Sequence, residues 1–131
     1  MDFFKVGGVS YDVVVTKIVE DFTILYSENT GRTMSAKAKM SLHPLGTFFS
    51  HKVTVRRKRG AERDFDDLLD YISVPRSSGI EVEIVHNQST IKYEAYVSNG
   101  SRQLSQINKS RGVVEWGEMT INFVPMEAQI T

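Results

Sequence analysis

The chain has 131 residues, room for one domain and too little for two of ordinary size. Lys plus Arg number 16 and Asp plus Glu number 16, a balance that argues against binding driven by bulk attraction to nucleic acid or acidic lipid. With no Cys there are no disulfides, thiolate metal sites or thiol nucleophiles, and the longest uncharged stretch, Ser41 to His51, is far below the ~20 apolar residues that span a bilayer.

The opening FFKV-GG-VSYDVVV sets apolar runs on either side of Gly7-Gly8, residues that tolerate the positive φ of a tight turn, and predicts two antiparallel strands paired with each other. The MDFF start has no basic region followed by an apolar one, so no secretory signal is expected. The second strand continues to about Ile18 on β-branched residues, and Phe22 to Tyr26 is a further short run. Turn formers fill Ser27 to Thr33, after which Met34, Ala36, Ala38, Met40 and Leu42 alternate with Ser35, Lys37, Lys39 and Ser41. This predicts an extended hairpin or arm over about 26–47, loosely held because two of its inward positions are Ala. His43-Pro44-Leu45-Gly46 predicts a turn, and TFFSHKVTVRR after it a strand with Phe49, Val53 and Val55 on one side.

Between Ala61 and Ser73 the period changes. Phe65, Leu68, Leu69 and Ile72 fall at helical spacing among Glu62, Asp64, Asp66, Asp67 and Asp70, which predicts one amphipathic helix burying those four apolar side chains. Acids in its first turn suit the helix dipole, and Pro75 with Ser77-Ser78-Gly79 stops it. Ile80 to Val85 and Ile91 to Val97 alternate about the turn His86 to Ser89, a predicted hairpin. Ser98 to Arg111 is polar and reads as a mobile loop. Val113 to Val124 reads as the closing strand, with a bulge at Gly117 and a stop at Pro125. The expectation is one mainly β domain over 1–131: an antiparallel β-sandwich or partly closed barrel of seven to nine strands, with one flanking helix.

No pattern names a reaction. His43, His51 and His86 are far apart in sequence, with no acid at a typical spacing, and read as surface or turn residues. The DFDD run lacks the Gly and downstream Glu of a calcium loop, Gly7-Gly8 is too short to cradle a phosphate, and no Ser sits in a Gly-x-Ser-x-Gly elbow. No catalytic residue, metal or cofactor is therefore expected. The triplets starting at Asn87, Asn99 and Asn108 match the glycosylation pattern, which carries meaning only in a secreted chain. The strongest charge feature is the cluster Lys52, Arg56, Arg57, Lys58 and Arg59. It allows phosphate contacts, pairing with the acidic helix that follows, or a polar subunit interface.

From Phe48 to Gln129 the succession HKVTVRRKR, RDFDDLLDYIS, IEVEIVHNQSTIKYEAYVS and WGEMTINFVPMEAQ resembles the N-terminal ring-forming domain of distal tail proteins of long-tailed bacteriophages, itself similar to the tail tube fold. FFKVGGVSYDVVVTKI is similar to the N-terminal hairpin of small prophage tail proteins of Gram-positive bacteria. The chain departs from full-length distal tail proteins in having no galectin-like or carbohydrate-binding part after Thr131. The resemblance implies a non-enzymatic virion subunit assembled in the bacterial host cytoplasm into a six-fold ring at the distal tail, tube or baseplate hub. Its implied partners are its own copies and neighbouring tail proteins, with no membrane and no specific nucleic acid. Arg56, Arg57, Lys58, Arg59, Lys37 and Lys39 are the candidate interface residues, and the alternative is a nucleic-acid-binding module using residues 52–59.

Overall fold

The computed structural model describes residues 3–34 and 37–131. Its elements in chain order are β1 (Phe4–Val6), β2 (Val13–Tyr26), β3 (Gly31–Arg32), β4 (Met40–Ser41), β5 (Pro44–Arg57), α1 (Glu62–Ile72), β6 (Ile80–His86), β7 (Ser89–Asn108) and β8 (Val113–Pro125). Six strands form one antiparallel sheet in the order β1-β6-β7-β8-β5-β2, while β3 and β4 pair separately. The fold is thus mainly β with one helix and fits a β-sandwich.

Strands β1 and β2 are neighbours in sequence yet lie at opposite ends of the sheet. Gly7 (φ +61°) and Gly8 (φ +78°) make the expected turn, closed by a Val6–Val9 bridge, but β1 then pairs with β6. The expected β1–β2 hairpin is corrected: the glycines fix a turn, and the partner is chosen by burial, because Phe4 and Val6 are buried beside Val82 and Ile84. Between Val9 and Val13 the chain can span only ~14 Å, whereas the edges of a flat six-stranded sheet lie ~24 Å apart. The sheet must therefore curl. Its ends approach each other without pairing, so the barrel does not close.

The curl encloses one core: Phe4, Val6, Val53, Val55, Ile80, Val82, Ile84, Ala95, Met119, Ile121 and Phe123 from the strands, with Phe65, Leu68 and Ile72 from α1. The helix keeps the predicted position and its acidic first turn, Glu62 and Asp64. Leu69, expected with the other three, is only half-buried; it lines a cavity of about 170 Å³ with Ile72, Val97 and Met119 between α1 and the β7–β8 hairpin. Its side chain packs against the edge of the core because the buried stripe runs through 65, 68 and 72, and 69 lies on its flank.

One turn expectation, one loop expectation and the alternating stretch from Met34 to Leu42 come out differently. His43 to Gly46 does not interrupt the sheet: β5 starts at Pro44, opposite Tyr26, where a residue without an N–H is tolerated in a strand's first position. Gly46 is needed for a different reason, since a Cβ there would lie 2.6 Å from the Ala128 Cβ and 2.8 Å from the Ile130 carbonyl oxygen. The alternation from Met34 to Leu42 yields only the two-residue β4. Met34 is fully exposed and Ala38 adopts φ +48°, so nothing opposite rewards the apolar face; Ser35 and Ala36 lie outside the described residues. The polar stretch Ser98 to Arg111 is mostly strand: β7 runs on to Asn108, paired with β8. It looked like a loop because that part of the hairpin extends past the core and needs no apolar face. The predicted bulge at Gly117 is present, with three β8 steps from Met119 to Trp116 opposed by two β7 steps from Arg102 to Leu104.

Residues 126–131 fold back onto β5. Thr47 bridges Ile130, and the Gln129 side chain accepts from the Phe49 N–H at 3.0 Å and donates to its carbonyl at 2.9 Å, standing in for a ladder residue.

The helix orientation sets a stability order. Leu68→Ala should cost about 2–5 kcal/mol in urea unfolding, Leu69→Ala clearly less and Asp67→Ala almost nothing. Equal losses for the two leucines would contradict the packing described.

Candidate functional site

The two long hairpins leave the core in opposite directions. β5 runs from Pro44 at its free end to Arg57 beside Val114, and β8 crosses it only from Glu118 to Phe123, so the β2–β5 tip and the β7–β8 tip project from opposite ends of the sheet. Along β2 one side bonds to β5 and the other has no partner strand among the described residues. β7 likewise has no partner strand among the described residues on one side beyond Ala95, opposite which β6 begins at Ile80. The last five residues of β2, Phe22 to Tyr26, hold no charge and no Pro; Phe22 is 67% exposed and Ile24, Leu25 and Tyr26 each more than 40%. Leu42 and Leu45 continue the apolar surface across the tip, and Leu104, Ile107, Val113 and Val114 form its counterpart at the opposite end.

The structure divides the sequence-predicted interface residues. Lys37 and Lys39 lie exposed at the β2–β5 tip, whereas Arg56 to Arg59 lie at the other end of β5, so the six do not form one patch. Arg56 faces solvent opposite Glu118 of β8, and Lys52 lies opposite Asn122, which breaks the basic run into a mixed surface. Arg57 is half-buried, donates to the Val114 carbonyl at 3.3 Å, and has a buried Nε with no hydrogen-bond partner among the described residues. Lys58 pairs with Asp12 at 3.0 Å, and Arg59 is exposed. The helix acids serve other partners. Asp64 accepts from the Asp12 N–H at 2.7 Å, and Asp66 pairs with Arg102, whose guanidinium stacks 3.8 Å from the Trp116 ring centroid. Backbone N–H groups of Glu62 and Gly60 hold the Glu62 carboxyl below its ordinary range, with Arg57 and Arg59 adding to the effect.

A cluster that spacing does not reveal sits where the curl brings β2 and β5 over β6 and β7. Glu20 of β2 places one carboxylate oxygen 2.8 Å from His51 Nε2 of β5 and 2.8 Å from His86 Nδ1 at the end of β6. His51 Nδ1 lies 2.7 Å from the Tyr93 hydroxyl of β7. His51 is fully buried. Both atoms facing the carboxylate must donate, so His51 carries its proton on Nε2 and its Nδ1 accepts from Tyr93. Burial pushes His51 below its ordinary value against the pull of Glu20. For Glu20 burial acts upward, but the hydrogen bonds from His86 and His51 prevail and hold the carboxyl low, while burial raises the Tyr93 phenol. Outside the network the Phe49 ring meets His86 edge-on, centroids 5.1 Å apart, and Phe22 lies against Phe49 at 6.5 Å.

The reading of His51 and His86 as surface or turn residues is corrected for the first and incomplete for the second. A signal was present: His51 is in phase with Val53 and Val55, and Glu20 is in phase with Ile18 and Phe22, so both occupy inward positions of their strands. Sequence separation hid the rest, since 31 residues divide Glu20 from His51 and 66 divide Glu20 from His86.

No family model matches the chain, and no curated protein matches it.

The network predicts an acid-sensitive fold. His51 binds its proton more weakly folded than unfolded, so its contribution is complete above the ordinary value of 6.5 and is lost progressively as pH falls below it. Glu20 adds a second loss below its ordinary 4.5, ending at its depressed folded value. Urea midpoints should be flat from pH 7 to 8 and fall from 6.5 downward. His51→Gln, which keeps a donor and an acceptor without titrating, should abolish the upper part of that fall; an unchanged profile in the variant would remove His51 as its source.

Proposed function

We propose that this protein is a self-associating structural subunit that builds a closed ring of identical copies, in the tail of a bacteriophage or prophage-derived particle. The observation that carries the reading is the edge of β2, fourteen residues long and without a partner strand among the described residues, whose last five residues, Phe22 to Tyr26, are uncharged and mostly apolar. A long, exposed apolar edge is an aggregation hazard in a monomer unless a partner strand covers it. The open side of β7 lies elsewhere on the same molecule, so pairing β2 of one copy with β7 of the next is a head-to-tail contact. Contacts of that kind either close into a ring or propagate into a filament. Apolar tips at opposite ends of the sheet suit the stacking of one such ring on the next. The order of elements that resembles distal tail and tube proteins supports the same reading, and six-fold closure is the order that the resemblance implies.

Charge has a secondary part in this account. Exposed ion pairs contribute under ~1 kcal/mol each, so association rests on strand pairing and apolar burial, with Arg56 and Arg59 tuning register. Arg57 is half-buried and bonded to the Val114 carbonyl, so it presents less of its charge to a neighbour than Arg56 or Arg59.

The parent chain should sediment as a discrete oligomer at micromolar concentration, and the double variant Phe22→Lys, Ile24→Lys as a monomer with an unchanged circular dichroism spectrum. Arg56→Glu with Arg59→Glu should slow assembly without preventing it. A parent that stays monomeric at every concentration would refute the reading, and tight salt-sensitive binding to DNA by that monomer would favour a nucleic-acid module instead.

A further inference from the structure

We propose that Glu20, His51, His86 and Tyr93 form a proton-sensitive latch that pins the β2–β5 hairpin across the mouth of the curled sheet to β6 and β7, and that proton uptake by His51 releases it. The inference concerns the isolated chain and does not depend on the assembly reading.

The geometry carries it. β2 and β5 occupy one end of the sheet order and β6 and β7 lie near the other, so no main-chain ladder joins the two pairs. Glu20 to His86 and His51 to Tyr93 are the side-chain hydrogen bonds that cross this gap, at 2.8 and 2.7 Å. Each atom has one role. Tyr93 gives its hydroxyl proton to Nδ1, and the Glu20 oxygen takes N–H from both imidazoles.

A second proton on His51 sits on Nδ1 and faces a hydroxyl that is itself donating. The hydroxyl must turn its hydrogen away, and among the described residues its hydrogen bond is to His51. The charged and titratable groups around His51 are Glu20 and Asp21 from β2, His86 from β6 and Tyr93 from β7; β8 places Phe123 opposite it. Glu20 favours the added charge, but burial outweighs it. Opening resolves the conflict by giving His51 to water, and it also parts the Phe49–His86 contact on which Phe22 rests. The apolar tip of β2 is thereby coupled to the protonation of a buried ring.

One proton taken up on opening raises the open population at most tenfold per pH unit below about 6.5. The test is hydrogen exchange of the intact chain at pH 7.5 and 5.5, corrected for the intrinsic pH dependence of exchange. Amides of residues 20–26 and 47–52 should lose protection about tenfold through an opening less costly than global unfolding, so that at both pH values they exchange faster than those of Val82 to Ile84 and Phe65 to Leu69, which follow the global stability. In His51→Gln the step should vanish. Should that variant fail to fold, ring-nitrogen NMR of the parent decides, because His51 should show the Nε2–H tautomer at pH 7.5 and gain its second proton over the range in which protection falls. Unchanged protection, exchange of the 20–26 and 47–52 amides only at the rate of the core amides, a step retained in His51→Gln, or a His51 that titrates outside that range would each overturn the latch.

Discussion

The short crossing between β1 and β2 is the constraint from which the rest of this architecture follows. The Val6–Val9 bridge consumes part of an already short link, and what remains cannot reach from edge to edge of a flat six-stranded sheet. Curling is the only way to keep both strands in one sheet. It gives the sheet an inside, which the strands fill with alternate side chains and which α1 lines with Phe65, Leu68 and Ile72. It also brings faces of non-adjacent strands together, so that Glu20, His51, His86 and Tyr93 meet although no two belong to the same strand.

A carboxylate and two imidazoles at the rim of an apolar interior are costly unless their hydrogen bonds are made. Here Glu20 has a donor from each imidazole and His51 has a partner for each nitrogen, so the cluster ties the hairpins together at the cost of sensitivity to one more proton. An apolar replacement would be less particular about pH and about which strands it joined. The same hairpins run beyond the core, where no strand among the described residues pairs with the outer edge of β2. That combination, a tied base and an exposed apolar tip, is what the proposed self-association draws on.

The local features were largely legible in the sequence. Helical spacing located α1 to within a residue at each end, Gly7-Gly8 marked a turn, His86 to Ser89 marked the β6–β7 hairpin, and Gly117 marked a bulge. What failed was everything set by partners. β1 chose β6 over β2 because the buried ladder beside Val82 and Ile84 outweighs proximity in sequence. Ser98 to Asn108 became strand through pairing with β8, a gain invisible to hydropathy, and of the described residues between Met34 and Leu42 Met40 and Ser41 alone joined a ladder, because Met34 is exposed and Ala38 turns to φ +48°. The histidine cluster was hidden by the same limit. Inward phase was readable for His51, but the identity of the acid opposite it depended on the curl.

The claim of a head-to-tail ring rests on β2 of one copy meeting β7 of the next. The natural chain has no Cys, so single cysteines report on chosen positions without background. Asp21→Cys on the open edge of β2 and Gln106→Cys on that of β7 can be prepared as separate variants, mixed, and treated with a short bismaleimide. The account predicts a mixed dimer that neither variant gives alone, and a ladder ending in a closed ring when both substitutions are placed in one chain. Dimers formed by either variant with itself, or no cross-link between the two, would contradict it.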